Sequence, residues 1–313
     1  MKIGISSCLL GNKVRFDGQH KLNRFLRDEL GPFVEWVPVC PEMECGMPVP
    51  REALRLIGKD PETARLFTNK TFVDKTEQML DFTYPKLNEL EKENLRGFVF
   101  KTKSPTSGMR GVKIYSEKGV PERHGSGIFA REFMKRFPNI PVEDEGRLHD
   151  PGIRENFIEK IYIYDRWLTY CENDGSIAGF ISFHTRHKYT FMAHAPALLK
   201  TAGKIVAASS KKTINSDILA YEPVLMSIVN LKATVKKHVN VLQHIMGYFK
   251  NDLSSDEKQE LLYVIQKYAD HYVPLIVPIV LLQHYVRKYQ DPYLLEQWYL
   301  NPHPDELKLR NHV

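Results

Sequence analysis

Residues 33–52 read FVEWVPVCPEMECGMPVPRE. The opening FVEWVPV has the Val- and aromatic-rich composition of a β-strand, and that strand runs straight into Cys40. Behind it, Pro41, Gly46, Pro48 and Pro50 mark irregular backbone with no regular apolar face to bury. Two of the chain's four cysteines, Cys40 and Cys45, stand in this stretch. An isolated cysteine is usually a small buried hydrophobe. The irregular backbone around this pair argues for metal binding or chemistry instead.

Working outward, Lys2–Ser7 (KIGISS) reads as a first strand that ends at Cys8, and Gly97–Lys101 (GFVFK) as a third that ends at KSPTSG. Val112–Tyr115 is expected to be a fourth. Helical spacing covers Lys21–Leu30, Asp74 to about Glu93, and Gly127–Phe137. Strands alternating with helices imply a parallel sheet, and in an open parallel sheet ligands sit beyond the carboxyl ends of the strands. Cys8, Cys40, Cys45 and Ser104 are therefore expected to converge at one rim as a three-cysteine site. Three thiolates suit either zinc with a fourth ligand or an iron–sulfur cluster with one open iron. Spacing leaves both open. Cys171 lies in a helical run and reads as a structural thiol.

The chain has 313 residues, 42% hydrophobic and 26% charged, enough for a substantial core and about two domains. Residues 141–157, PVEDEGRLHDPGIRENF, read as a shaped linker, giving domains over 1–150 and 151–313. Beyond Ile153 only helices are expected: Asn156–Tyr170, Phe183–Ala208, Asp217–Phe249, Ser255–His271 and Pro278–Tyr289. The fold class is thus an α/β parallel-sheet, Rossmann-like N-terminal domain followed by an all-α C-terminal domain.

Charge is uneven. Residues 1–180 carry 28 Lys and Arg against 27 Asp and Glu, whereas 184–250 carry 10 against 2. That asymmetry points to a polyanion, nucleic acid before membrane. In HTRHKYTFMAH, residues 184–194, His184, Arg186, His187, Lys188 and His194 recur at helical spacing. They read as a phosphate-gripping face, with metal ligation by His184, His187 and His194 as the rival. Lys211 and Lys212 add basic surface. The longest apolar run, Val273–Leu282, is too short to span a bilayer and holds two prolines. The start MKIGISSC has no apolar stretch behind a basic one, so a cytoplasmic setting with reduced thiols is expected.

ISSCLLGNKVRFDG, VCPEMECGMPVPRE and KSPTSGMRGVKIY together resemble the bacterial thiouracil and 4-thiouridine desulfidases. The second half, with FHTRHKYTFMAH at its start, resembles the YbgA-like helical domain fused to the longer members. The resemblance implies a 4Fe–4S cluster on three cysteines, whose open iron takes sulfur from a thiolated pyrimidine. Cys8 and Cys40 match the motif cysteines. Shorter members read S-P-S-C-G where this chain has Ser107, and Cys45 would replace that ligand. Glu42 and Ser104 match positions implicated in acid–base work and substrate contact. The implied reaction of the fused proteins returns 4-thiouridine in tRNA to uridine.

Arg15, Asp17, Arg51 and Arg110 are candidates for substrate binding, each with a structural alternative such as an Arg–Asp pair that fixes a turn. Arg186, Lys188, Lys211 and Lys212 are the candidates for tRNA binding. Sulfur removal by hydrolysis needs no net electron transfer, so no nicotinamide or flavin is expected, and no G-x-G-x-x-G is present. Two other readings stand beside this one. A desulfidase of free thiopyrimidines such as 2-thiouracil would not need residues 184–250. A non-catalytic cluster or zinc protein sensing redox state on nucleic acid would not need Glu42.

Overall fold

The computed structural model describes residues 1–116 and 118–312. Among the described residues there are eight strands: β1 (Lys2–Ser6), β2 (Glu35–Val39), β3 (Leu54–Ile57), β4 (Arg65–Thr68), β5 (Phe98–Phe100), β6 (Val112–Tyr115), β7 (Pro121–Gly125) and β8 (Val142–Asp144). The helices of the first half are α1 (Pro41–Glu44), α2 (Thr76–Lys92) and α3 (Ile128–Arg136). The chain divides into two compact units, Met1–Phe157 and Ile158–Val313.

In the first unit, one sheet has the order β2-β1-β5-β8 with every pairing parallel. Lys2 to Ser6 pair residue by residue with Glu35 to Val39, so the two strands end together, at Ser7-Cys8 and at Cys40. The inner strands carry Ile, Val and Phe because they are buried on both faces. Phe98, Phe100, Phe129 and Phe133 pack with Leu87 and Leu90 of α2 beneath this sheet. Gly4 admits that packing, since a Cβ there would lie 2.2 Å from a carbon of the Phe98 ring.

The sequence reading needs three corrections in this unit. Val112–Tyr115 is not a strand of the parallel sheet. It belongs to a second sheet of order β4-β3-β6-β7, whose core is Leu56, Leu66, Met79, Val112, Ile114 and Ile128. The fourth parallel strand is Val142–Asp144, inside the stretch read as a linker, and a helix already begins at Pro151. Lys21–Leu30 is helical only over Phe25–Leu30, and there as a π-helix.

From α4 (Pro151–Asn173) onward the chain is helical: α5 (Ile177–Arg186), α6 (Lys188–His194), α7 (Pro196–Ala208), α8 (Ile214–Asn230), α9 (Val235–Met246), α10 (Ser255–Ala269), α11 (Ile276–Tyr289) and α12 (Pro292–Leu295). The expected helix Phe183–Ala208 is broken at His187 and again before Pro196. Asp217–Phe249 is likewise two helices, separated by residues 231–234. Proline explains the second break, since it disfavours the helical conformation of the residue before it. The α/β class followed by an all-α part is what the structure shows. Among the described residues, no single helix is long and apolar enough to cross a bilayer.

Candidate active site

The carboxyl ends of β1, β2 and β5 open onto a cavity of about 290 Å³. Cys8, Cys40, Glu42, Ser104, Arg15 and Arg51 all line it. Cys8 sits in a 3₁₀ turn directly after β1, and Cys40 is the residue before α1. Burial pushes the Cys8 thiol up to about 11, partly offset by the Lys101 ammonium. Burial and then the Glu42 carboxylate push Cys40 up to about 12. As thiolates, both would need a cationic partner to offset the charge.

Glu42 is fixed from two sides. Its Oε1 accepts a hydrogen bond from Thr106 Oγ1 at 2.6 Å, and its Oε2 lies 3.9 Å from the Arg51 guanidinium. The same Oε2 is 3.7 Å from Cys40 Sγ. Thr106 Oγ1 is in turn 3.0 Å from Ser104 Oγ. Thr106 is itself fully buried, so it joins two cavity-lining residues from behind the wall. Ser104 Oγ accepts from the backbone N–H groups of Thr106 and Ser107, which makes the turn after β5 rigid. Gly127 closes this turn from outside: its N–H donates to Gly108 O, and a Cβ there would stand 2.5 Å from the Thr106 carbonyl.

The rim is tied together by residues the sequence did not single out. The Lys101 N–H donates to Ser6 Oγ at 2.9 Å, and the Lys101 ammonium pairs with Glu145 beyond β8. Thr102 Oγ1 donates toward Asp144 and Glu145, both at 2.8 Å. Strand ends of β1, β5 and β8 are thereby locked side by side.

Several expected site residues lie elsewhere. Cys45 is not among the cavity-lining residues; its thiol donates to the Glu42 carbonyl at 3.2 Å and its side chain packs against the second core, while Ser107 does line the cavity. Among the described residues, no three His, Cys, Asp or Glu side chains form a ready metal site. Asp17 is exposed and off the cavity, holding the loop by pairing with Arg15 at 3.4 Å. Arg110 points to Glu143 at 3.6 Å, away from the cavity.

In the helical unit, the histidines of residues 184–194 are not a surface face. His184 Nδ1 meets Tyr221 OH at 2.9 Å, and burial pushes His184 down to about 4. His187 faces Phe183 O and burial pushes it down to about 3. His194 lies between Leu231 O and the Glu159 carboxylate. They share the stripe of Phe180, Phe183 and Phe191, which is core. Arg186 lies over the Trp298 ring, while Lys188, Lys211 and Lys212 are exposed. Cys171 is half-buried, pushed up to about 12 by burial.

Known proteins match both halves. Residues 3–145 match the 2-thiouracil desulfurase family, and residues 188–304 match DUF1722, a family of proteins of unknown function. The first half of the chain is thus similar to the one family and the second half to the other. One curated relative is the uncharacterized protein YbgA of Escherichia coli (strain K12), 29% identical over 132 residues, which are 42% of this chain and 78% of YbgA. Among solved structures, a [4Fe-4S]-dependent thiouracil desulfidase, TudS, is 26% identical and is matched over 49% of this chain and 96% of its own, with a TM-score of 0.39. The cavity lies wholly within the residues that match the desulfurase family.

Proposed function

We propose that this protein is an iron–sulfur desulfidase that removes sulfur from 4-thiouridine in tRNA to give uridine, in a reducing, cytoplasmic setting. The observation that carries the reading is the meeting of the buried Cys8 thiol and the half-buried Cys40 thiol with the carboxylate of Glu42 in one cavity. The donor set fits a 4Fe–4S cluster in its chemistry: buried thiols ionise when a cationic group neutralises them, and soft thiolates select iron–sulfur clusters. Cys8 and Cys40 would hold two irons. Cys45, one residue beyond α1, is the third thiol of the unit and would bind by turning away from the Glu42 carbonyl. When bound, the group supplies a thiophilic iron that draws electron density from the C=S carbon.

The remaining work falls to side chains on the cavity wall. Water adds to the C=S carbon and sulfide departs, so a thiocarbonyl and water become a carbonyl and hydrogen sulfide. Glu42 takes the proton of the attacking water, with Thr106 and Arg51 holding its carboxylate in one orientation. Ser104, anchored by two backbone N–H groups, orients the water or the pyrimidine edge. Arg51 serves mainly to build the wall, since one guanidinium nitrogen donates to Val14 O at 3.1 Å. The exposed Lys188, Lys211 and Lys212 would grip tRNA phosphates while the base is turned outward, a step that costs a few kcal/mol.

A second reading, desulfuration of free thiopyrimidines, is favoured by the names of the desulfurase family and of TudS. The two are separated by one experiment. The protein is purified anaerobically, its iron and sulfide are measured, and it is incubated with thiolated tRNA or with free 2-thiouracil. Loss of 4-thiouridine from tRNA with release of sulfide is the expected result. Turnover of the free base alone would replace it with the second reading, and iron-loaded protein without turnover would sink both.

A further inference from the structure

Phe16 is 41% exposed, lines the cavity, and is the only aromatic ring among the described residues that do so. Other exposed rings of this unit, Phe72 and Tyr84, lie elsewhere. A large apolar ring left open to solvent in the cavity that holds Cys8 and Cys40 is an informative exception to burial.

The loop that carries it is over-determined. The Gly18 N–H donates to Arg15 O at 2.9 Å, and the Arg15 N–H to Gln19 O at 3.2 Å. Gly18 makes this turn possible because its φ is +71°, the left-handed region where a side chain is strained. The Gln19 N–H donates to Asp17 Oδ1, and Asp17 also pairs with Arg15. Phe16 O accepts from the Arg51 N–H at 2.8 Å, and the neighbouring Val14 O accepts from the Arg51 guanidinium and lies 3.9 Å from Cys40 Sγ. The ring is therefore held on a stiff loop beside the cysteine. The Arg15 guanidinium lies 5.3 Å from the ring centroid, within cation–π range. Asp17, though off the cavity, is explained in the same way: it keeps Arg15 and the turn in place.

We propose that Phe16 is the stacking surface for the substrate's pyrimidine ring. This rests on the desulfidase reading for the identity of the substrate. A flat ring on a rigid loop recognises the π-face common to thiolated and unthiolated pyrimidines, so it serves to seat the base rather than to tell sulfur from oxygen. It also makes the nucleobase, and not the ribose or phosphate, the part that Phe16 holds.

The test is binding, read separately from turnover. The full-length protein is titrated with 4-thiouridine and with uridine by equilibrium dialysis, and KM and kcat are measured on thiolated tRNA. Phe16→Leu keeps apolar bulk and removes the π-face. It should weaken binding of both nucleosides roughly 5- to 150-fold, the range of a lost base–aromatic stack. KM should rise with kcat much less affected. Phe16→Tyr should retain binding, and in Phe16→Trp the indole fluorescence should be quenched as nucleoside is added. A Phe16→Leu protein that binds both nucleosides like wild type overturns the assignment, as does wild-type protein that binds neither. Wild type that binds 4-thiouridine but never releases sulfide sinks the desulfidase reading and leaves the stacking assignment standing.

Discussion

Glu159 offers the sharpest test of how the helical unit is held together. Its carboxylate lies between His194 Nε2 at 2.9 Å and the Arg310 guanidinium at 3.3 Å, and all three side chains are nearly fully buried. Burial alone would raise Glu159; the His194 hydrogen bond and the charges of His194 and Arg310 outweigh it and hold the carboxyl far below the usual range. Two unit charges at this separation attract by about 5 kcal/mol at an effective dielectric constant of about 20. Glu159→Gln keeps the shape and removes the charge that faces His194 and the Arg310 guanidinium. Breaking a buried pair in this way costs about 3–5 kcal/mol, a large part of the roughly 5–15 kcal/mol that holds a domain folded. Urea unfolding followed through Trp167 and Trp298, both in this unit, reads the loss directly. With a slope near 2 kcal/mol per molar urea, the midpoint should fall by about 2 M.

The pH dependence has a fixed sign. A carboxyl depressed in the folded state contributes stability that is complete above its unfolded value, near pH 4.3, and is lost as pH falls toward the folded value. Wild type should therefore lose this contribution below about pH 4.3, and the Gln variant should lack that phase. A loss of under about 1 kcal/mol, the scale of an exposed pair, would refute the reasoning.

Four further outcomes are expected. Cys8→Ser, Cys40→Ser and Cys45→Ser should each lose iron and visible absorbance, with Cys171→Ser unaffected; full iron in Cys45→Ser with loss in Ser107→Ala would move the third ligand to Ser107. Glu42→Gln should keep its iron and lower the desulfuration rate by ~100- to 10,000-fold, and a wild-type rate would make Glu42 a mere loop acid. Gly127→Ala should lower the rate with iron retained, because the added carbon would displace the turn carrying Ser104 and Thr106; a wild-type rate would show that the turn's position is immaterial. Replacing Arg186, Lys188, Lys211 and Lys212 together should flatten the log–log salt slope of tRNA binding by about 0.9 per lost phosphate contact, and an unchanged slope would remove these residues from the interface.

The strands that end at Cys8, Cys40 and Lys101 were legible because each is a short run of β-branched and aromatic residues that stops at a chemically distinct side chain. β8 was not legible. Its VED sequence is acidic, and Glu143 and Asp144 are buried only because Arg110, Arg147 and Thr102 answer them from elsewhere in the fold. The second sheet escaped notice because β3 and β4 are only four residues each, LRLI and RLFT, and each carries an arginine. The histidines of residues 184–194 show the limit of periodicity. A stripe at helical spacing identifies one face, but only burial says whether that face is wet. Strand endings alone put Cys8, Cys40, Cys45 and Ser104 at one rim, and of these Cys8, Cys40 and Ser104 line the cavity while Cys45 does not. Thr106 and Lys101 could not be placed in this way, since their roles depend on partners far along the chain, at Glu42 and Glu145.

All residues lining the cavity fall between Ser6 and Ser107, and the sheet beneath is completed at Asp144. The first unit closes at Phe157, ahead of every residue of the helical unit. At synthesis rates of about 5–20 residues per second, residues 158–313 take on the order of ten seconds to make. At the start of that interval every residue that lines the cavity has been made and none of the helical unit has. Order of synthesis thus separates the residues of the cavity from those of the helical unit. Lys188, Lys211 and Lys212 are all made after the last residue that lines the cavity.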